Sequence, residues 1–213
     1  MDRETQLANA ALKLLAQQEW RSLTLAAVAR ATKLQLPQVL GIVPAKTALP
    51  GMILRMLARE TARRYSGDSS AGDPRERLFD VTMTWFDVQH SHAPALKRLY
   101  RALQVDPATL LAMRGDVLHA SGELLALAEA DFGTSPRVQA AIVAGVLVRA
   151  VSAWHDDDVE MGKTMAQLDR DLRRVERLLW PKPGTAGVSP TSPKAKRSGR
   201  DGHALRKKTR GRS

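Results

Sequence analysis

The feature that most constrains this chain is the spacing of its last apolar residues. Met161, Met165, Leu168, Leu172, Val175 and Leu179 follow one another in steps of 4, 3, 4, 3 and 4. Steps of that kind put a narrow apolar seam along one side of a helix, flanked here by charge, which is the pattern of helix packed on helix in a bundle. The rest of the chain reads the same way. Leu7, Ala11, Leu14 and Leu15 predict a first helix over about 3–18, and Thr24 is placed to cap a second carrying Leu25, Val28 and Ala29. A short third is expected from Leu36 to Gly41, closed by Gly41 and Pro44, and a long fourth carries Leu49, Met52, Ile53, Met56 and Leu57. Further helices are predicted at about 75–90, 93–103, 106–129, 135–155 and 158–180. The 135–155 segment is apolar almost all round and therefore reads as buried. No segment alternates with the period of a strand. The expected fold is all-α with about nine helices.

Composition agrees and narrows the function classes. Aromatic residues are 4% of the chain, so its apolar mass is Leu, Ala, Val and Met, which favours helix. With no cysteine, disulfides and thiolate metal sites are excluded. The opening "MDRETQLANA" lacks the basic-then-apolar layout of a signal peptide, and the longest apolar run, "AAIVAGVLVRAVSAW", is interrupted by Arg149, so a cytoplasmic chain without a membrane span is expected. Of the net charge of +11, residues 194–213 carry +8. Residues 182–213 are rich in Pro, Gly, Ser and basic side chains and are expected to be a disordered tail, either a contact arm for DNA or anionic membrane or merely solubilising. The loop "SGDSSAGDP" suggests three parts: 1–65, 66–181 and the tail.

Residues 7–57 resemble the DNA-binding domain of the TetR family of bacterial transcription regulators. The resemblance lies in the Ala11–Leu15 helix, "SLTLAAVARAT" and "QLPQVLGIVPAKTAL", the last replacing the family's Ser-x-x-x-Leu-Tyr-x-x-Phe-x-Ser-Lys-x-x-Leu without a gap. It implies an N-terminal helix-turn-helix unit and a C-terminal ligand and dimerisation bundle. Thr24, Lys33, Gln35, Gln38, Gly41 and Lys46 are then the expected DNA-facing positions, with Thr24 and Lys46 on phosphate and Gln38 able to pair with an adenine edge. The departures from the family pattern fall mostly on the surface, the exception being a packing position. Lys33 replaces the turn glycine, Gln35 the capping serine, Leu40 the phosphate-contacting tyrosine, Val43 the phenylalanine and Ala45 the second serine.

Two stretches, "LFDVTMTWFDVQHSHAPALKRLYRAL" and "AWHDDDVEMGKTMAQLDRDLRRVERLL", resemble an alphaproteobacterial subgroup of TetR-like proteins. The second is also similar to the C-terminal region of the lipid-binding accessory protein of ubiquinone biosynthesis. That similarity implies, as the alternative function, an isoprenoid-binding protein without sequence-specific DNA binding. A regulator of TetR type would pair two copies through the last two helices, the expected interface being Val146, Ala150, Met165, Leu168, Leu172 and Val175. Trp85, Phe86, Leu99, Leu103, Leu110, Met113 and Val117 line a pocket for an apolar or lipid effector, or are simply core.

No cofactor, metal or catalytic residue is expected. Asp156, Asp157 and Asp158 beside His155 invite a metal, but they stand where carboxylates cap a helix and complement its dipole. His90 and His92 are two apart and point to different faces of a helix, and His119 stands alone.

Overall fold

A computed structural model describes residues 2–65 and 73–179, with side chains defined to residue 177; the basic tail and most of the 66–74 loop lie outside the described residues. Nine α-helices and no strand occur among the described residues: α1 (Arg3–Leu15), α2 (Leu25–Thr32), α3 (Leu36–Leu40), α4 (Leu49–Arg64), α5 (Pro74–His90), α6 (Ala93–Leu103), α7 (Pro107–Leu127), α8 (Pro136–His155) and α9 (Gly162–Leu179). Short 3₁₀ turns at Trp20–Ser22 and Lys46–Ala48 flank the α2–α3 pair.

Local chemistry sets these boundaries. From α3 to α8 every helix has proline in its first turn, where its missing N–H removes no helical hydrogen bond. Carboxylates cap three starts: Asp2 accepts from the Thr5 N–H at 2.6 Å, Asp73 from Glu76 at 2.9 Å and Asp106 from Thr109 at 3.1 Å. Two predicted boundaries are corrected. Helix α1 ends at Leu15 rather than near residue 18, and the Arg98 guanidinium on α6 takes up the freed Leu15 and Ala16 carbonyls. Helix α9 begins at Gly162 rather than 158 because Met161 adopts a left-handed backbone (φ 53°), which a right-handed helix cannot contain.

Helices α1–α3 form a head. Helix α4 packs against α1 on one side and against α5 and α7 on another, while α7, α8 and α9 pack in succession. One apolar core runs from Leu7, Leu12 and Val39 through Ile53 and Leu57 to Phe86, Leu147 and Trp154. At about 25 cal/mol per Å², each such fully buried side chain contributes on the order of 2 kcal/mol.

Helix α8 is, by length and composition, long and apolar enough to cross a membrane, contrary to the expectation from the interrupting Arg149. Its packing accounts for part of that character: Val143, Val146, Leu147 and Ala150 are buried in the bundle, where α8 packs on α7 and α9, while Val138 and Val148 remain exposed. Arg149 itself is clipped to α9, with its Nε 2.8 Å from Oδ2 of the buried Asp171. Asp171 also accepts from Gln167 at 2.6 Å and pairs with Arg174 at 3.4 Å.

Candidate nucleic-acid interface and apolar groove

The head is assembled around a left-handed turn. Thr24 caps α2, its Oγ1 accepting from the Ala27 N–H at 3.1 Å, which leaves the hydroxyl proton free to donate outward from an exposed position. At the other end of α2, Lys33 adopts φ 58°, ψ 28°. The Leu34 N–H reaches the Ala29 carbonyl at 3.0 Å and the Lys33 N–H reaches Arg30 at 3.2 Å, closing the helix in a Schellman motif. The turn therefore keeps the left-handed backbone that glycine normally supplies, at a cost of about 1 kcal/mol for a residue bearing a Cβ. Gln6 on α1 steadies it by donating from Nε2 to the Thr32 carbonyl at 3.2 Å.

Helix α3 follows directly, with only Val39 facing the core. Gln38, at the third position of α3, folds back so that its Oε1 accepts the N–H of the cap residue Gln35 at 3.0 Å, the return half of a capping box. Leu36 and Leu40 are 39% and 43% exposed, and Pro37, Gln38 and Gly41 are exposed beside them. Gly41 has an ordinary helical backbone (φ −67°), so its conformational freedom is not what closes α3. Its contribution is the absence of a side chain on the outer face.

Lys46 sits differently from a side chain reaching out to phosphate. Its Nζ donates to the Trp20 carbonyl at 2.5 Å and the Arg21 carbonyl at 3.2 Å and lies 4.6 Å over the Trp20 ring. Burial lowers its pKa, opposed by the Asp106 charge. In this arrangement it ties the α3–α4 connection to the turn before α2. Arg21, Arg30 and Lys33 are exposed, and none of the three forms an ion pair among the described residues. Residues 20–59 contain six Arg or Lys and no acid, but Arg55 pairs with Asp116, Arg59 pairs with Asp2 and Glu4, and Lys46 is turned inward.

In the bundle, a groove of about 200 Å³ opens between α4, α5, α6, α7 and α8. Trp85, Leu99, Leu103, Leu110, Met113 and Val117 line it, as the sequence suggested, together with Ile53, Leu54 and Leu57 of α4 and Val148 and Val151 of α8. Phe86 does not. It points one residue round α5 into the core, fully buried, edge-on to Trp85 and 6.3 Å from the Trp154 ring. No charged side chain lines the groove; its polar members are Gln89, Tyr100 and the indoles of Trp85 and Trp154. The Trp85 N–H is buried without an acceptor among the described residues.

The residues expected between subunits have other neighbours. Val146, Ala150, Leu168, Leu172 and Val175 are buried inside the single chain, because the α9 seam packs on its own α8 and α5. Of the six only Met165 is exposed, at 39%. The outward face of α8 instead presents Val138, Ala141, Gly145, Val148 and Ser152, again in steps of 3 and 4.

Among the described residues no group of three His, Asp or Glu is arranged to hold a metal ion. Asp157 accepts from the Thr164 N–H and hydroxyl at 2.7 and 2.9 Å and fixes the start of α9, while Asp158 accepts from the Glu160 N–H at 3.1 Å. His119 lies 3.3 Å from Glu123, and His155 bonds Asp156 at 2.8 Å with its ring tilted 41° against Tyr100.

No family model matches the chain, and no curated protein matches it significantly. Solved structures do. A TetR-family transcriptional regulator from Streptomyces coelicolor superposes with a TM-score of 0.52 at 23% identity, over 83% of this chain and 81% of that one. A TetR transcriptional regulator from Rhodococcus sp. RHA1 superposes with a TM-score of 0.55 at 10% identity, over 80% and 92%. With a helical head leading through α4 into a bundle, the chain has the fold of TetR-family transcriptional regulators.

Proposed function

We propose that this protein is a dimeric DNA-binding transcriptional regulator of TetR type, released from or delivered to its operator by a small uncharged apolar effector. The observation that carries the reading is the head's outer surface: a Schellman turn leading into an exposed α3, flanked by the exposed cations Arg21, Arg30 and Lys33, none of which forms an ion pair among the described residues. Such a surface suits a polyanion. Thr24, Arg21, Arg30 and Lys33 are its phosphate contacts, which supply affinity and register, while α3 faces base edges. Lys46 acts by holding the head together. Residues 1–65 serve as the DNA-reading unit and 66–181 as the effector and dimer unit.

Two copies are needed because one short helix reads too few base pairs. The second copy packs on the outward α8 stripe through Ala141, Gly145 and Val148, with Met165 at its margin. The groove is the effector site, and its uncharged lining selects neutral, mainly hydrocarbon ligands. An effector oxygen reaching the Trp85 N–H would satisfy that buried donor. Ile53, Leu54 and Leu57 lie on α4, the helix that leaves the head, so a ligand favouring one seating of α4 against α7 changes the spacing of two heads. It does so only by its difference in affinity for the two arrangements.

The test is binding of the full chain to the duplex upstream of its own gene and to random duplex, over a salt series. Preference for the upstream duplex supports the regulator. Equal affinity collapsing with salt refutes sequence-specific regulation. The isoprenoid-binding alternative uses the same apolar groove; native mass spectrometry showing a co-purifying isoprenoid, together with no duplex preference, would favour it.

A further inference from the structure

We propose that the head selects major-groove sites whose central pairs are A·T, reading thymine methyl groups with Leu36 and Leu40 and an adenine with Gln38. The inference rests on the DNA-binding reading above and adds what the DNA must be. Its ground is the chemistry of the α3 face. Discriminating guanine in the major groove takes a paired donor such as Arg, and discriminating cytosine takes an acceptor such as a carboxylate. Helix α3 presents neither. Its outward residues are Leu36, Pro37, Gln38 and Leu40, followed by Gly41, and the nearest cation in sequence, Lys33, lies in the preceding turn.

What the face does offer matches thymine and adenine. Leu36 and Leu40 stand one helical turn apart, 39% and 43% exposed, forming an apolar ridge that no neighbouring element covers. The C5 methyl of thymine is the apolar group a major groove exposes, so the ridge has a partner in A·T-rich duplex that it lacks in G·C-rich duplex. Gln38 is pre-positioned by the Gln35 N–H at 3.0 Å. Its carbonyl oxygen keeps a second lone pair for the adenine amino group, and its amide nitrogen is a donor for adenine N7. Gly41, where a Cβ would meet only the Pro37 and Gln38 carbonyls at 3.6 Å, lets the backbone come close to the base edges. The exposed Arg21, Arg30 and Lys33, which form no ion pair among the described residues, carry the ridge onto the duplex.

The experiment is selection of the full chain against a random duplex library, followed by affinity measurements on the selected site. The expected site has A·T pairs at the centre of each half. Replacing the central thymines by deoxyuridine, which removes only the methyl groups, should weaken binding roughly tenfold, and 7-deazaguanine elsewhere in the site should change nothing. Leu40→Ala, a change at an exposed position, should bind the thymine and deoxyuridine duplexes more nearly alike. A selected site with G·C at its centre, or equal affinity for thymine and deoxyuridine duplexes, overturns the A·T proposal while leaving the regulator reading intact. No enrichment of any sequence, or a preference for anionic lipid vesicles over every duplex, overturns both.

Discussion

Replacing Leu168 by alanine tests where the α9 seam is buried. The regular spacing of that seam suits an interface between subunits, yet Leu168 is fully buried within one chain, packed between α9 and its own bundle. Truncation removes a buried isobutyl group and leaves a cavity. Such changes cost about 3 kcal/mol, within a range of about 2.7 to 5. For a folded unit of this size each kilocalorie lowers Tm by about 2–4 °C, so a fall of about 6–12 °C is expected. Because the contact is intramolecular, the fall should be the same across a roughly hundredfold range of protein concentration, and sedimentation should still report a dimer. Gly145→Glu is the counterpart. A side chain there meets nothing within 4 Å in the single chain, and replacing glycine in a helix gains up to about 1 kcal/mol of propensity, so the fold should survive while the dimer dissociates. Leu168→Ala variants that keep the parent Tm but become monomeric would refute the assignment and return the seam to the subunit interface.

Lys33→Gly relieves the left-handed turn and should raise stability by about 1 kcal/mol in chemical denaturation, while removing one phosphate contact and lowering the salt slope of DNA binding by about 1. An unchanged or lower stability would contradict the turn geometry. Asp157→Ala strands the buried Thr164 N–H and hydroxyl and should cost about 2 kcal/mol. Burial raises the Asp157 pKa, but bonds from Thr164 and Asp158 outweigh it and leave it below the ordinary aspartate value. Its stabilisation is therefore full at neutral pH, above the unfolded pKa, and is lost as pH falls through the folded one; denaturation curves of the variant should be flatter than wild type below about pH 4. Ala120→Phe, at a buried position lining the groove, should abolish uptake of Nile red while leaving duplex binding in place, with an overpacking cost of about 1–3 kcal/mol. Undiminished dye binding would place the ligand elsewhere.

The sequence made the head legible because its signals are local. A hydroxyl at Thr24, the Val28–Ala29 pair and the α3 boundaries each depend on a few neighbouring residues, and all appear where the pattern put them. Six of the seven residues suggested for the groove also line it, from α5, α6 and α7. Phe86 failed because it is adjacent to Trp85, and one step along a helix turns a side chain by about 100°. The roles of Lys46 and Asp171 were not legible. Lys46 folds onto carbonyls 25 and 26 residues earlier, and Asp171 meets an arginine 22 residues away.

Periodicity and composition alone determined that this chain is a set of helices with buried seams, since 3.6-residue spacing is a property of the strand of letters itself. They could not say which helix each seam would face. An apolar stripe pays no regard to whether its cover comes from the same chain or a second copy, as burial free energy depends on area removed from water and not on its source. Only the tertiary structure decided that α9 closes on its own bundle, leaving the small-residue face of α8 and the leucine ridge of α3 to meet whatever lies outside.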